Sequence, residues 1–235
     1  MLSKTAIVTG AHGNLGRAVA KKFIENDYQV WGTVHSNPEK NDSEKDLSMN
    51  GNLKEVALDL LNEEDCELLV NKIVTINKRI DVAILTAGGF TMGDIAATRT
   101  GDIAKQYQLN FETAYNMARP VFLQMMKQNS GRIFLIGSKA GMNAANAKGV
   151  SAYGLSKSLL FRLAEIMNAE AKNKNVVVSV IVPGTIDTPQ NRRSMPGADF
   201  SAWVLPSQIA DVISFYSGEE AGIIRDPVIK VYGNS

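Results

Sequence analysis

Short runs of β-branched residues alternate with long helical patterns from one end of this 235-residue chain to the other. Some of the runs are almost continuously apolar, which is typical of strands in a parallel sheet covered by helices on both faces. Repeated strand–helix units with right-handed crossovers predict a doubly wound parallel α/β sheet. Because no proline-rich linker or change of composition interrupts the pattern, we expect residues 1–235 to form a single domain. The predicted strands are Thr5–Thr9, Gln29–Val34, Glu55–Leu58, Val82–Thr86, Arg132–Ile136, Val176–Val182 and Val228–Tyr232, and the predicted helices are Leu15–Glu25, Glu63–Arg79, Asp102–Lys127, Ala152–Lys172 and Ser207–Ser217.

The charge balance and the scarcity of cysteine and histidine exclude several classes of function. The 25 basic and 24 acidic residues leave a net charge of +1, which indicates neither a nucleic-acid partner nor an anionic membrane surface. One cysteine and two histidines are present, so we expect no disulfide within the chain and no metal site. The apolar run Thr5–Val8 is too short for a signal sequence or a membrane span. We therefore expect a cytoplasmic protein that acts on a small molecule.

Three glycines follow the first predicted strand and open the first predicted helix. Gly10 permits a sharp turn, Gly13 permits the backbone to approach a pyrophosphate, and Gly16 permits the helix to pack closely against the strand. The helix N-terminus then points at the phosphates, where its N–H groups favour negative charge. A tight turn without a ligand would also use such glycines. Their position between a first strand and a first helix nevertheless favours a Rossmann-like turn that binds a dinucleotide.

The end of the second predicted strand decides between the two nicotinamide dinucleotides. Selectivity for NAD usually rests on an Asp or Glu here, about 20 residues after the glycine turn, because a carboxylate binds the ribose hydroxyls. In this chain His35, Ser36 and Asn37 follow the strand instead. Ser36 and Asn37 can donate hydrogen bonds to a 2′-phosphate, and His12 and His35 can add positive charge. The sequence therefore favours NADP(H) over NAD(H), the alternative being that both histidines are ordinary loop residues.

A tyrosine and a lysine four residues apart, Tyr153 and Lys157, lie at the start of the fourth predicted helix. This spacing places both side chains on one face of the helix, one turn apart. A phenol has an ordinary pKa of about 10, and we expect the nearby ammonium to lower the pKa of Tyr153 so that it serves as general acid or base. Ser138 follows the fifth predicted strand and can bind the same substrate oxygen as charge develops there. With the glycine turn, these residues predict hydride transfer to or from a carbonyl.

In this order and on this fold pattern, the chain resembles the short-chain dehydrogenase/reductase family over essentially its whole length. The resemblance implies that Asn110 holds a water in a proton relay to Lys157, and that Lys157 also binds the nicotinamide ribose. One departure is visible, because Asn14 stands where many members have a glycine and the glycine is Gly13 instead. The resemblance implies further cofactor contacts from residues of the glycine turn and of segments that follow strand ends, namely Gly10, His12, Gly13, Asn14, Leu15, Gly16, Asp59, Leu60, Ala87, Gly88, Gly89, Pro183, Gly184, Ile186 and Thr188.

Within the family, the stretch from Asp187 to Trp203 looks like the corresponding segment of dihydropteridine reductases. The segments Thr86–Phe90 and Tyr153–Lys157 match as well. This resemblance implies NAD(P)H-dependent reduction of a quinonoid dihydropterin. Two features depart from it, since dihydropteridine reductases typically have an Asp where this chain has His35 and tend to lack the strand-end serine. NADPH-dependent reduction of unrelated ketones or aldehydes is therefore the main alternative, and a dinucleotide-binding regulator without catalysis is a second.

Large apolar side chains near the predicted catalytic elements indicate a substrate surface suited to a flat heterocycle. They are Phe90, Met142, Met195, Phe200 and Trp203. For Phe200 and Trp203, the alternative is that they pin their loop to the core.

The predicted helix Ala152–Lys172 is apolar on two sides, and one sheet face cannot cover both. One stripe carries Leu155, Leu159, Leu163 and Ile166, and a second carries Leu160, Ala164, Met167 and Ala171. Either another helix or a second subunit must cover the remaining stripe. The family resemblance implies a homodimer, or a higher homo-oligomer, built on this helix and the preceding long one.

Overall fold

The computed structural model describes residues 3–35 and 52–234. Within these ranges, seven parallel strands form one sheet in the order β3-β2-β1-β4-β5-β6-β7, with helices on both faces. This confirms the predicted doubly wound α/β fold. The order of the strands reverses between β1 and β4, which is the switch point where ligands bind in such sheets. The strands are β1 (Thr5–Thr9), β2 (Gln29–Val34), β3 (Leu53–Ala57), β4 (Val82–Leu85), β5 (Ser130–Ile136), β6 (Asn175–Pro183) and β7 (Val228–Val231).

Two apolar clusters, one on each face, hold the helices against the sheet. Phe23 of the first helix and Ile209 of the last lie in one cluster, while Ile73, Met117 and Leu160 lie in the other. All five side chains are less than 2% exposed, and burying each contributes about 1.5–3 kcal/mol. The helices are α1 (Asn14–Glu25), α2 (Glu63–Asn77), α3 (Thr100–Tyr107), α4 (Thr113–Gln128), α5 (Lys139–Met142), α6 (Ser151–Glu170), α7 (Pro189–Ser194) and α8 (Pro206–Ser217).

The largest difference from the sequence prediction concerns the helix expected at Asp102–Lys127. It is divided by a π-helical turn, Gln108–Glu112, in which the Thr113 N–H donates to the Gln108 carbonyl. A π turn inserts a residue into the helix, and such turns occur frequently at functional sites. Smaller differences are shifts of one or two residues at element ends and the short helices α5 and α7, which are too short for a periodic pattern.

Strand register brings distant segments together at the carboxyl edge of the sheet. Thr9 of β1 pairs with Leu85 of β4, Leu85 pairs with Leu135 of β5, and Ile136 pairs with Ile181 of β6. The glycine turn, the segment after β4, Ser138 and the segment after β6 therefore lie side by side. Across the described part of the chain, no helix is long and apolar enough to cross a membrane, and no three His, Cys, Asp or Glu side chains are grouped to hold a metal ion.

Candidate active site

The glycine turn is built by close backbone contacts that leave no room for side chains. Gly10 has a φ of +64°, a left-handed conformation that glycine adopts without strain. A Cβ on Gly16 would lie 2.8 Å from the Gly10 carbonyl carbon and 2.9 Å from Thr86 Oγ1. Thr86 Oγ1 donates a hydrogen bond to the Thr9 carbonyl, 2.5 Å away, and so ties the turn to the end of β4. These contacts fix the position of the glycine turn beside the switch point between β1 and β4.

The N-terminus of α1 suits an anionic ligand. Its N-cap, Gly13, has no side chain to accept from the first N–H groups, and the first turn contains no acidic residue. The first N–H groups of a helix lack partners within the helix and carry partial positive charge. Asn14 is exposed at the mouth of the turn, whereas the Leu15 side chain is packed into the core, so Leu15 can serve a ligand by its backbone alone. These residues fit the pyrophosphate of a dinucleotide.

His12 does not offer the unshared positive charge that the sequence suggested. Its Nε2 lies 2.8 Å from Oε1 of Glu55, which reaches up from β3. Any charge on the imidazole is therefore balanced by a carboxylate, and the expectation that His12 adds net positive charge is corrected. Among the described residues, Nδ1 of His12 is buried without a hydrogen-bond partner.

The other residues predicted to contact the adenosine half of the cofactor differ in their positions. His35 is exposed and directly follows β2, whereas Ser36 and Asn37 lie outside the described residues. Asp59 uses one carboxylate oxygen to accept from the Leu61 N–H at 3.0 Å. Leu60 packs against the core cluster on the α2, α4 and α6 face. Among the described residues predicted here, Asp59 and His35 are exposed at this edge of the sheet.

Ser138, Tyr153 and Lys157 converge at the carboxyl end of β5. A side-chain hydrogen bond joins Ser138 to Tyr153, and Ser138 Oγ also accepts from the Gly141 N–H at 3.0 Å. Lys157 Nζ lies 5.9 Å from the centre of the Tyr153 ring and donates to the Ile136 carbonyl at 2.8 Å. The Phe90 ring meets the Tyr153 ring edge-on, with 5.0 Å between centres. A hydroxyl pair next to an ammonium can bind a carbonyl oxygen and give it a proton.

The pKa values at this site shift for reasons of burial. Burial raises the pKa of Tyr153 above its ordinary value, and the hydrogen bond from Ser138 lowers it in part. This direction is opposite to the one expected from Lys157 in the sequence. Burial also lowers the pKa of Lys157 to about 8. The phenol of Tyr153 therefore carries its proton at neutral pH, which is the form that can donate a proton to a carbonyl oxygen.

Asn110 occupies the middle of the π turn and is 1% exposed. Its Oδ1 accepts from the Gly89 N–H at 3.0 Å, and a Cβ on Gly88 would lie 2.7 Å from this oxygen and 3.3 Å from Lys157 Nζ. The segment Ala87–Gly89, the amide of Asn110 and the ammonium of Lys157 therefore enclose one small space. The Ala87 N–H donates to Thr9 Oγ1 at 3.2 Å, which fixes the other end of the segment.

The segment after β6 lines the same edge. Pro183 is the last residue of β6, and the Gly184 N–H donates to the Val231 carbonyl at 2.8 Å. Ile186 packs against the core cluster on the α1 and α8 face, and Thr188 Oγ1 caps α7 by accepting from the Asn191 N–H at 3.1 Å. Both side chains are partly exposed and lie beyond the strand end where a nicotinamide ring would be held.

The predicted substrate residues divide into two groups. Phe90, Met142 and Met195 are 62%, 36% and 41% exposed, as residues facing a cleft can be. Trp203 is 9% exposed and contacts Phe200, with 4.7 Å between ring centres. The alternative that Trp203 pins its loop to the core therefore describes its position better.

The structure adds side chains that the sequence reasoning missed. Lys139 Nζ lies 4.4 Å above the ring of Tyr232, whose hydroxyl lies 3.8 Å from the sulfur of Met142. Gln106 and Ser156 both bind the Asn110 amide. Tyr232 ends the last predicted strand at the carboxyl edge of a parallel sheet, which was a usable signal. Gln106 and Ser156 gave none, because polar residues within helical patterns are usually solvated.

A protein-family model described as short chain dehydrogenase matches residues 4–198. The 3-oxoacyl-(acyl-carrier-protein) reductase FabG of Vibrio cholerae is 27% identical over 238 residues, which cover 98% of this chain and 96% of that protein. The acetoacetyl-CoA reductase of an Acinetobacter species is 28% identical over 191 residues, covering 79% and 75% of the two chains.

Solved structures agree in fold over 98% of the chain. The structure of ElxO with NADP bound superposes with a TM-score of 0.87 and is 26% identical, with 98% of each chain covered. A tyrosine-to-phenylalanine variant of ElxO with NADPH bound gives the same TM-score at 25% identity.

Proposed function

The chain belongs to the short-chain dehydrogenase family and is an NAD(P)H-dependent oxidoreductase, and on that premise we propose that it reduces a ketone carbonyl with NADPH. The observation that carries the proposal is the hydrogen-bonded pair of Ser138 and Tyr153 beside the buried ammonium of Lys157. A protein that merely bound a dinucleotide would need no such proton donor.

The proposed reduction uses Tyr153, Ser138 and Lys157 to supply a proton and to stabilise charge at the carbonyl oxygen. When bound, the nicotinamide supplies a hydride, with both electrons, to the carbonyl carbon. As the C–O double bond opens, Tyr153 donates its proton to the oxygen and Ser138 stabilises the developing charge by a hydrogen bond. The ammonium of Lys157, 5.9 Å from the centre of the Tyr153 ring, then stabilises the phenolate that remains. The product is an alcohol.

NADPH is proposed over NADH on two grounds. Relatives in structure carry NADP or NADPH in their names, and β2 is followed by His35 rather than by an acidic residue. Glu55 acts in the opposite sense, because it places a carboxylate beside the glycine turn.

Glu55→Lys is therefore expected to increase the preference for NADPH, measured as the ratio of the Kd for NADH to that for NADPH, by about tenfold. The cause is attraction between the new ammonium and the 2′-phosphate, worth about 1.4 kcal/mol at this range. Fluorescence titration with both cofactors measures the ratio. Glu25→Lys, at the opposite end of α1, is the matched control. A ratio that is unchanged or lower in Glu55→Lys would contradict this placement of the adenosine.

Two substrate classes are candidates. The names of the curated relatives favour a 3-oxoacyl compound, and the stretch Asp187–Trp203 favours a quinonoid dihydropterin. The test is steady-state oxidation of NADPH with acetoacetyl-CoA, a simple ketone and a quinonoid dihydropterin in parallel. Turnover of a ketone substrate without turnover of the pterin supports the proposal as stated. Turnover of the pterin alone would contradict a ketone substrate and assign the pterin instead. Turnover of none of the three compounds would contradict both substrate classes.

We also propose that two chains associate through α6. Of the first apolar stripe, Leu163 is buried in the monomer, but Leu155, Leu159 and Ile166 are 53%, 38% and 49% exposed. The second stripe, with Leu160 and Met167, is buried in the core. On the long helix before it, Tyr115 and Leu123 are also exposed, 40% and 48%.

Replacing Leu159 and Ile166 together with glutamate is expected to convert the dimer into a monomer, because two buried carboxylates would face each other across a symmetric interface. Light scattering after gel filtration gives the mass directly. Ile223→Glu, on a surface residue that is 90% exposed, is the control. A wild-type protein that is already monomeric at micromolar concentration would contradict the proposal.

A further inference from the structure

Three buried polar side chains are linked by hydrogen bonds beneath the candidate site. Gln106, Asn110 and Ser156 are 7%, 1% and 2% exposed. Gln106 and Asn110 lie one helical turn apart, at the end of α3 and in the π turn that follows it, whereas Ser156 comes from α6, 46 residues from Asn110. Buried polar groups are costly unless their hydrogen bonds are all made, so such a network stabilises one arrangement strongly over others.

The network determines which way the Asn110 amide points. Its Nδ2 donates to Gln106 Oε1 at 3.0 Å and to Ser156 Oγ at 3.2 Å. The Ser156 hydroxyl donates its own proton to the Tyr153 carbonyl at 2.8 Å, so it can only accept from Asn110. Both amide protons are thus used on the core side, and Oδ1 must face the cleft. A flipped amide would set its N–H groups against the N–H of Gly89.

With the amide in this orientation, Asn110 Oδ1 fixes the position of the segment Ala87–Gly89, which lines the cleft. Oδ1 accepts from the Gly89 N–H at 3.0 Å and borders the space over Gly88 that Lys157 Nζ also borders. If Asn110 rotated, the segment after β4 would lose its hydrogen-bonded connection to α6, the helix that carries Tyr153 and Lys157. The side-chain bond from Gln106 to Asn110 spans the entry to the π turn, where the ordinary helical hydrogen bonds are interrupted.

We propose that Gln106 is a positioning residue of this enzyme, which acts through Asn110 to hold the segment Ala87–Gly89 against Lys157. The side-chain oxygen of Gln106 accepts from Asn110, and Ser156 shares this role from α6. The proposal rests on the proposed function where turnover is concerned, and on the hydrogen bonds alone where the order of Gly89 is concerned.

A double-mutant cycle on kcat tests the coupling. Gln106→Met keeps the length of the side chain but removes its acceptor, and we expect kcat to fall about tenfold. In an Asn110→Ala background, the same substitution is expected to change kcat by less than about twofold, because its effect passes through Asn110. An equal loss in both backgrounds, or no loss in either, would overturn the proposal. Should Gln106→Met fail to fold, Ser156→Ala takes its place in the cycle with the same expected outcomes.

Gln128→Met is the matched control. Gln128 is also hydrogen-bonded, to the Ile80 and Ser130 backbone, but at the opposite end of the sheet. This variant is expected to lower the melting temperature without changing kcat. A fall in kcat as large as that of Gln106→Met would show that both substitutions act through general loss of stability.

Amide hydrogen exchange at Gly89 in the cofactor-free protein gives a readout that does not depend on activity. With the Asn110 oxygen no longer held in place, exchange at this N–H is expected to be about tenfold faster in Gln106→Met than in the wild type. Unchanged exchange would exclude the positioning role. Absence of turnover by the wild type would defeat the proposed function, whereas the exchange rate would still decide the role of Gln106.

Discussion

Replacing Tyr153 with phenylalanine is expected to lower kcat by about 10³-fold, while the Kd for NADPH stays within about twofold of wild type. The substitution removes one oxygen and leaves the ring against Phe90, 5.0 Å away between centres. Because burial raises the pKa of Tyr153, its hydroxyl carries a proton at neutral pH and can donate it to the carbonyl oxygen. Stopped-flow single turnover, with cofactor titration alongside, separates the chemical step from binding.

Tyr216→Phe is the control for this substitution. Tyr216 packs against the cluster on the opposite face of the sheet, so its loss of a hydroxyl should leave kcat unchanged. If Tyr153→Phe retained kcat within about tenfold of wild type, another group would have to supply the proton. The assignment of the general acid would then be wrong.

Lys157→Met is expected to abolish turnover and at the same time to stabilise the fold by about 1–2 kcal/mol at pH 7. Burial lowers the pKa of Lys157 from 10.5 to about 8, so keeping the ammonium charged in the folded chain costs about 3 kcal/mol. Methionine removes that cost but leaves the Ile136 carbonyl, 2.8 Å from Nζ, without its donor. The loss of this hydrogen bond lowers the stability of the folded variant by about 1–2 kcal/mol. For a chain of this size, the melting temperature should rise by roughly 2–8 °C.

The pH dependence of this difference has a definite sign. The folded-state pKa of Lys157 lies below the unfolded value, so the folded chain binds fewer protons between pH 8 and pH 10.5. The wild type therefore gains stability relative to Lys157→Met as the pH rises through this window. Lys157→Met should therefore melt at a higher temperature than the wild type below pH 8, and the order of the two proteins should reverse towards pH 10.5, because the neutral amine still donates to the Ile136 carbonyl without the cost of a buried charge. A melting difference that stays constant between pH 8 and pH 10.5 would mean that burial does not depress the pKa of Lys157.

Lys72→Met provides the control for Lys157→Met. Lys72 is exposed on α2, away from the carboxyl edge of the sheet. Its replacement should change neither kcat nor the pH dependence of melting. A wild-type level of activity in Lys157→Met would remove the lysine from the mechanism.

What the sequence predicted correctly was encoded over short distances. The strand and helix periods predicted the sheet, because each depends on side-chain spacing within one element. The glycines between β1 and α1 and the four-residue spacing of Tyr153 and Lys157 are local in the same way. Ser138 could be placed with them because carboxyl ends of parallel strands meet at one edge.

What the sequence could not decide depends on contacts between distant segments. Glu55 lies 43 residues from His12, and Ser156 lies 46 residues from Asn110. The direction of the Tyr153 pKa shift was expected from one neighbouring charge, but burial by the folded chain determined it.

By itself, the sequence determined the α/β architecture and predicted the cofactor turn and the residues proposed to carry the proton, since each follows from spacing along the chain or from strand order. Only the tertiary structure decided the orientation, the charge pairing and the pKa values of those groups. The orientation of the Asn110 amide, the pairing of His12 with Glu55 and the pKa shifts of Tyr153 and Lys157 all depend on which distant atoms exclude water and supply hydrogen bonds. Those quantities exist only once the chain is folded, because hydrogen bonds and burial act over a few ångströms in space, whatever the separation in sequence.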